Sequence, residues 1–326
     1  MTLEISVVIP VYKSEASLDE LYERLTRSLQ QLTNSYEIIL VNDCSPDKSW
    51  AKLKELSQRD NRVKTISLMR NFGQHNAIMC GFNYAQGDYV LTMDDDLQNP
   101  PEEIQKLVAK MAGGYDAVIG RPYVKKHAAY RNFGSYIIGK SLEGIFGKPK
   151  DIKMSSFRLL RKSLVQAVIS VKTPNPMIDA LILSNTLNIA NVEVTHDARK
   201  YGKTNYSLYK SSKLAYDLLV NYSTIPLRFI SINGFVFAAL GLLIGAYVIV
   251  GRMLGSFAIA GWASTIALLS IFSGLILVSF GVVGEYLSRI ISEVAYFRQY
   301  VIRESSYAEE LPAQTVEKAK KWGMGR

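Results

Sequence analysis

Two hydrophobic rhythms alternate through the first third of the chain. Short runs rich in β-branched and aromatic residues, "ISVVIPVY", "YEIILVND", "VKTISLM", "DYVLTMD" and "YDAVIG", are bounded by turn residues and read as strands. Between them, "SLDELYERLTRSLQQL", "DKSWAKLKELSQ", "QHNAIMCGFNYAQ" and "PPEEIQKLVAKM" place apolar residues three and four apart, the spacing of helices with one buried face. Strand and helix in alternation predict an α/β fold, a doubly wound and mostly parallel sheet covered on both faces. Ligands of such sheets bind beyond the carboxyl ends of the strands. Pro10 to Tyr12, Asn42 to Asp43 and Asp94 to Asp96 all fall there.

A different rhythm takes over later. No charged residue occurs between Arg228 and Arg252, nor between Arg252 and Glu285. A helix of about 22 residues rises about 33 Å, enough for a hydrocarbon core of about 30 Å. The pattern predicts a two-helix transmembrane hairpin over 228–290, with spans near 229–250 and 263–284. Before it, "SLYKSSKLAYDLLVNYSTIP" sets Leu208, Ala215, Leu219 and Tyr222 on one face, as in an interfacial amphipathic helix over 206–227. The domain reading is therefore an α/β domain over 1–205, that helix, the hairpin, and a tail over 291–326.

Charge orients the hairpin. Arg199, Lys200, Lys203, Lys210, Lys213 and Arg228 precede it, Arg289, Arg298 and Arg303 follow it, and only Arg252 lies near its tip. The positive-inside rule then places both ends, and the α/β domain and tail, in the cytoplasm, the expectation being a multi-pass plasma (inner) membrane protein. "LEISVVIPVY" enters a strand directly, so no cleaved signal peptide is expected. The net charge of +9 is accounted for by anionic lipid and phosphate, and no nucleic-acid module is recognisable, so nucleic acid is not an expected partner. The two cysteines, Cys44 and Cys80, form neither a disulfide framework nor a metal spacing, and His75, His127 and His196 are scattered.

The stretch "YVLTMDDDLQNPPEE" carries the chemistry. Three adjacent carboxylates repel one another unless a cation offsets them. If the strand's alternation continues, Asp94 and Asp96 reach one ion while Asp95 points away, and Gln98 can add a carbonyl oxygen. A solvated turn is the plainer alternative for a lone D-x-D. Glu15 and Asp43 lie where helix caps would also be found.

Taken in order, "SVVIPVY", "ILVNDCSPDKS", "MRNFGQHNAIMCGFNYAQGDYVLTMDDDLQNPPEEI", "SSFRLL" and "RKYGKTNYSLYK" resemble the family 2 glycosyltransferases of GT-A, Rossmann-like fold. More narrowly they are similar to the polyprenyl-phosphate sugar transferases, which include dolichyl-phosphate mannose synthases and bactoprenol glucosyltransferases. "GEYLSRIISEVAYFRQYVIRE" resembles the bactoprenol branch. The resemblance implies inverting transfer of one sugar, glucose from UDP-glucose first among the donors, to polyprenyl phosphate on the cytoplasmic leaflet. It implies that Pro10, Tyr12, Glu15 and Asp43 hold the nucleotide, and that Asp94, Asp96 and Gln98 hold Mg²⁺ or Mn²⁺. Arg121, Arg199 and Lys203 would meet the acceptor phosphate, and Asp179 stands where relatives often carry an acidic residue, a candidate base. Membrane lipid is the implied surface, and a homo-oligomer and a lipid-linked sugar flippase are compatible partners. Two positions depart from the pattern. The usual "VDDGS" reads "VNDCS", and Lys13 replaces an asparagine. Two other readings stay open: a membrane-tethered nucleotide-sugar sensor or subunit without catalysis, and a processive polysaccharide synthase, whose usual "QxxRW" is absent.

Overall fold

Eight strands form one sheet in the order β7-β5-β6-β4-β1-β2-β3-β8. The computed structural model describes residues 4–122, 140, 142–198, 200, 225–254, 262–294 and 298–307. In chain order the elements are β1 (Glu4–Val11), α1 (Leu18–Leu32), β2 (Ser35–Asn42), α2 (Ser49–Arg59), β3 (Val63–Leu68), α3 (Gln74–Tyr84), β4 (Tyr89–Thr92) and α4 (Ile104–Met111). There follow β5 (Ala117–Pro122), β6 (Arg158–Arg161), α5 (Lys162–Ser170), α6 (Ile178–Asn185), β7 (Ile189–Val194), α7 (Ile225–Met253), α8 (Trp262–Val294) and β8 (Ile302–Ser305). The described residues divide into two compact units, one from the stretches 1–127, 148–205 and 298–326, the other from 128–147 and 206–297.

In the first unit β3, β2, β1 and β4 run parallel, as the alternating pattern predicts. Their side chains alternate between two covered faces. Val7, Ile9, Val11, Ile38 and Leu40 join one cluster with α1, α2 and α4. α1 supplies Leu18, Leu21, Leu25 and Leu29, all buried, and each such burial stabilises by roughly 1.5–3 kcal/mol. On the other face α3 lies so close that a Cβ on Gly81 would sit 2.3 Å from Val8 Cγ1. Burial on both faces explains why β1 and β2 are continuous apolar runs rather than alternating ones.

The sheet is less parallel beyond β4. β6 is inserted antiparallel between β4 and β5, while β5 and β7 pair in parallel. The segment read as a tail contributes β8, antiparallel to β3 at the sheet edge. Trp50 Nε1 donates to Glu304 at 3.1 Å, and the Tyr84 and Tyr307 rings lie 4.7 Å apart, centroid to centroid. A four-residue strand with two charges carries too weak a periodicity to be read from sequence.

In the second unit α7 and α8 run for 29 and 33 residues, and Phe237 meets Phe272 edge to face. Several of their side chains lie outside the description, and among the described residues no helix is long and apolar enough to cross a membrane. The expected interfacial helix over 206–227 lies almost wholly outside the described residues.

Candidate active site

The carboxyl ends of the four parallel strands open into four loops, and each loop contains one residue with left-handed backbone: Lys13 (φ 59°), Cys44 (φ 53°), Gly73 (φ 92°) and Leu97 (φ 59°). Among the described residues Lys13, Cys44 and Leu97 are the non-glycine cases. Each costs about 1–2 kcal/mol, and strain of this kind gathers where a loop must present groups in a set geometry. Cys44 occupies the position where the "VDDGS" pattern has glycine, so the departure carries a backbone cost.

β4 ends at Thr92, and the three aspartates follow it outside the strand. Strand alternation therefore does not reach them, and each takes its own partners. Asp94 Oδ1 accepts from Gln74 Nε2 at 2.7 Å, and its Oδ2 accepts from Ser156 Oγ at 2.5 Å. Asp96 Oδ1 accepts the Gln98 backbone N–H at 3.1 Å. Asp95, expected to point away from the ion, turns to the loop after β1. Its Oδ2 accepts the Tyr12 N–H at 3.1 Å and the Ser14 hydroxyl, and Ser17 Oγ donates to its carbonyl at 2.8 Å. Asp95 is thus a latch between the loop after β1 and the loop after β4.

The expected nucleotide residues line the same edge. Pro10 is buried in β1 beside Val41, while Tyr12 is exposed with the Lys13 ammonium 5.4 Å from its ring centroid. Glu15 Oε2 accepts the Lys48 N–H at 3.2 Å where α2 begins. Asp43 is 3% exposed and accepts the Phe72 and Gly73 N–H groups at 2.7 and 2.8 Å, tying the β2 end to the loop that starts α3. Asn42 is spent inside the fold: its Nδ2 donates to Ser67 Oγ at 3.0 Å, and its Oδ1 accepts the Ser45 N–H at 3.1 Å.

The remaining expected residues separate. Asp179, the candidate base, is bound to Arg158: Nη1 donates to Oδ1 at 2.6 Å. Asp179 is thus the carboxylate partner of a buried guanidinium. Arg121 ends β5 and meets Glu193 at 3.3 Å rather than any of the three aspartates. It also lines a cleft of about 390 Å³ with Tyr115, Asp151, Ile152, Asn191 and Glu193, which contains none of the acidic cluster. That cleft lies toward the β7 edge of the sheet and carries no site chemistry of the kind gathered at β4. Arg199 and Lys203 lie outside the described residues, but the loop leading to them is anchored at the acidic turn. The Asp197 N–H donates to the Gln98 carbonyl at 2.8 Å, and His196 Nδ1 lies 3.3 Å from Asn99 Oδ1.

The electrostatics are those of uncompensated negative charge. Burial first, then the neighbouring Asp96, raises the Asp94 carboxyl above its ordinary value, against the Ser156 bond and Arg158. Burial likewise pushes Asp95 up to about 7, opposed by Ser14 and Tyr12 and reinforced by Asp94 and Asp96. A divalent cation reverses this logic by favouring the ionised forms. Among the described residues no three His, Cys, Asp or Glu side chains form a metal cage by themselves. Mg²⁺ at phosphate sites takes one or two carboxylates and completes its shell with water and phosphate oxygens, and Asp94 and Asp96 fit that donor set. Ser156, Gln74, Ser14 and Arg158 were missed as site residues, although "SSFRLL" and "GQHN" contain three of them. Only the β4–β6 pairing and the seating of α3 bring them to Asp94.

Four parallel strands ending on one strained, acidic edge, followed by an antiparallel strand that delivers a serine to it, define a mixed α/β sheet of the GT-A, Rossmann-like kind. The chain belongs to the glycosyl transferase family 2, whose model matches residues 6–169. It is 39% identical over 304 residues to the undecaprenyl-phosphate 4-deoxy-4-formamido-L-arabinose transferase of Proteus mirabilis (strain HI4320), covering 92% of this chain and 93% of that protein. A protein of the same description from Pseudomonas fluorescens (strain SBW25) is 37% identical over 314 residues, with 93% and 91% covered. Among solved structures, glucosyl-3-phosphoglycerate synthase from Mycobacterium tuberculosis, in complex with Mn²⁺, UDP-glucose and phosphoglyceric acid, is similar in fold. Its TM-score is 0.52 at 16% identity, over 68% of this chain and 79% of that one.

Proposed function

We propose that this chain transfers one sugar, with inversion, from a nucleotide sugar to the phosphate of a polyprenyl phosphate. The observation that carries the reading is the half-buried acidic turn after β4, Asp94 to Asp96, held by Gln74, Ser156 and Ser14. The full-length similarity to undecaprenyl-phosphate sugar transferases supports the acceptor class. Mg²⁺ or Mn²⁺ held by Asp94, Asp96 and Gln98 would offset the charge on the leaving diphosphate. Pro10, Tyr12 and Glu15 bound the nucleotide loop, and Asp43 shapes it through Phe72 and Gly73. The acceptor phosphate is already anionic and attacks without a base, which removes the need for Asp179 in that role. Arg199 and Lys203 bring that repelled anion to the anomeric carbon.

The relatives favour 4-deoxy-4-formamido-L-arabinose over the glucose expected from the C-terminal signature, and the fold neighbours with bound UDP favour a UDP donor. α7 and α8 form a membrane hairpin in this reading, with both ends and the sheet unit on the cytoplasmic side of the plasma (inner) membrane. Phe235 at 79% and Leu277 at 70% exposure support lipid contact. A homo-oligomer and a flippase for the product are the protein partners consistent with it.

The test is direct. Detergent-purified protein is incubated with undecaprenyl phosphate and labelled UDP-4-deoxy-4-formamido-L-arabinose, UDP-glucose and GDP-mannose, with Mg²⁺, Mn²⁺ or EDTA. Cation-dependent label in the lipid phase from the first donor is the expected result. Label from glucose alone would restore the earlier choice of sugar. Nucleotide binding without transfer from any donor would replace the enzyme reading with the sensor or subunit.

A further inference from the structure

On the strand paired with β4 lies a buried charge, Arg158, that the transfer reaction does not use. Arg158 opens β6 directly opposite Thr92, two residues before Asp94. Two residues before Arg158, Ser156 donates to Asp94, and the Ser156 carbonyl accepts from Thr92 Oγ1 at 2.6 Å. The Arg158 side chain is 3% exposed, and among the described residues it forms an ion pair with Asp179 at 2.6 Å. Its Nε has no protein partner. His75 follows the Gln74 that donates to the other Asp94 oxygen, and its buried Nδ1 is also without a partner. Arg158 and Asp179 both act on His75, and the field of Arg158 reaches Asp94.

A buried guanidinium is costly to keep, and an apolar replacement of such a pair often stabilises a fold. Its placement gives it a use. The direct contacts to Asp94 are neutral, from Gln74 and Ser156, so both oxygens keep lone pairs for a cation. A free arginine this near would close a two-pronged bond on the carboxylate and take those lone pairs. Asp179 pulls the guanidinium to itself, so Arg158 supplies positive field at Asp94 without occupying it.

We propose that Arg158, restrained by Asp179, is a positioning residue that orients Asp94 for a divalent cation and offsets the repulsion among the three aspartates. The inference rests on the reading of Asp94 as a cation ligand. Removing Arg158 leaves the aspartates crowded, and removing Asp179 frees Arg158 to fall onto Asp94. Both changes weaken cation binding, by opposite routes.

The experiment titrates the full-length protein in detergent with Mn²⁺, without donor, by electron paramagnetic resonance, and records thermal unfolding beside it. Arg158→Met and Asp179→Asn are each expected to lose about 10–100-fold in Mn²⁺ affinity, the usual range for groups behind a ligand. Arg158→Lys, which keeps the charge, should fall between wild type and Arg158→Met. The double variant Arg158→Met/Asp179→Leu strands no buried charge and is expected to regain the melting temperature lost by either single change, while its Mn²⁺ affinity stays low. Wild-type affinity in that double variant would reduce the pair to a structural role and overturn the inference, as would equal affinities for the Lys and Met variants. If the wild-type protein itself binds no Mn²⁺, the cation reading falls first.

Discussion

The two compact units spend their apolar residues in opposite ways. In the sheet unit Val7, Val8 and Val11 are 0% exposed, and the helices seal both faces of β1. In the helical unit side chains of the same character point outward along their length, Phe229, Leu243 and Tyr247 among them. A continuous apolar run is ambiguous on its own, because it fits a strand covered on two sides or a helix surrounded by lipid. The run is eight residues in β1 and 29 in α7. Outward apolar surface of this extent in water would be a site of association. The sheet unit answers to packing, and the helical unit to the solvent around it.

The largest test of this contrast is chemical. Asp94→Ala should lower kcat/KM for lipid-linked product by about a thousandfold, near 4 kcal/mol of transition-state stabilisation, with little change in melting temperature. An equal loss of fold would mean the acidic edge belongs to the packing economy of the sheet after all. Next come paired changes of one residue type. Leu25→Ala, in the sealed face of α1, should cost about 3 kcal/mol in denaturant unfolding, through lost burial and the cavity left behind. Leu277→Ala, 70% exposed on α8, should leave membrane association unchanged, whereas Leu277→Arg should cost about 2.5–3.5 kcal/mol of insertion and lower the membrane-extracted fraction. An arginine tolerated there without effect would place α8 in water and break the comparison.

Smaller effects sharpen the site. Asp95→Ala removes the acceptor for Tyr12 and Ser14 and should raise the donor KM about tenfold, while Asp95→Asn, which still accepts from Tyr12, should raise it less. A kcat effect without a KM effect would argue against the latch. Smallest is Cys44→Gly. At φ 53° glycine relieves left-handed strain but gives the unfolded chain more freedom, so a net gain of about 0.5–1 kcal/mol is expected by thermal unfolding.

Much was legible before any coordinates. The alternation of strand and helix, the gathering of Pro10, Asp43 and Asp94 at one edge, and the family itself all follow from local periodicity and from motifs in order. Legibility stopped where a partner lies far along the chain. The partners of Asp95 could not be read because Tyr12 and Ser14 lie on another loop, far along the chain. Asp179 looked free because Arg158, which binds it, is 21 residues away on another element. β8 escaped notice because four residues carry little periodicity, though β3 gives them a ladder.

The division has a physical cause. Hydrophobic spacing reports whether each position will be buried, and on which face of its own element, because that depends on a helix or strand taken singly. Which elements then touch depends on crossovers and register. The antiparallel insertion of β6 beside β4 alone puts Ser156 and Arg158 at Asp94. Sequence determined the elements, the uncharged runs and the acidic turn. Tertiary structure decided which oxygen of each aspartate is held, and by whom.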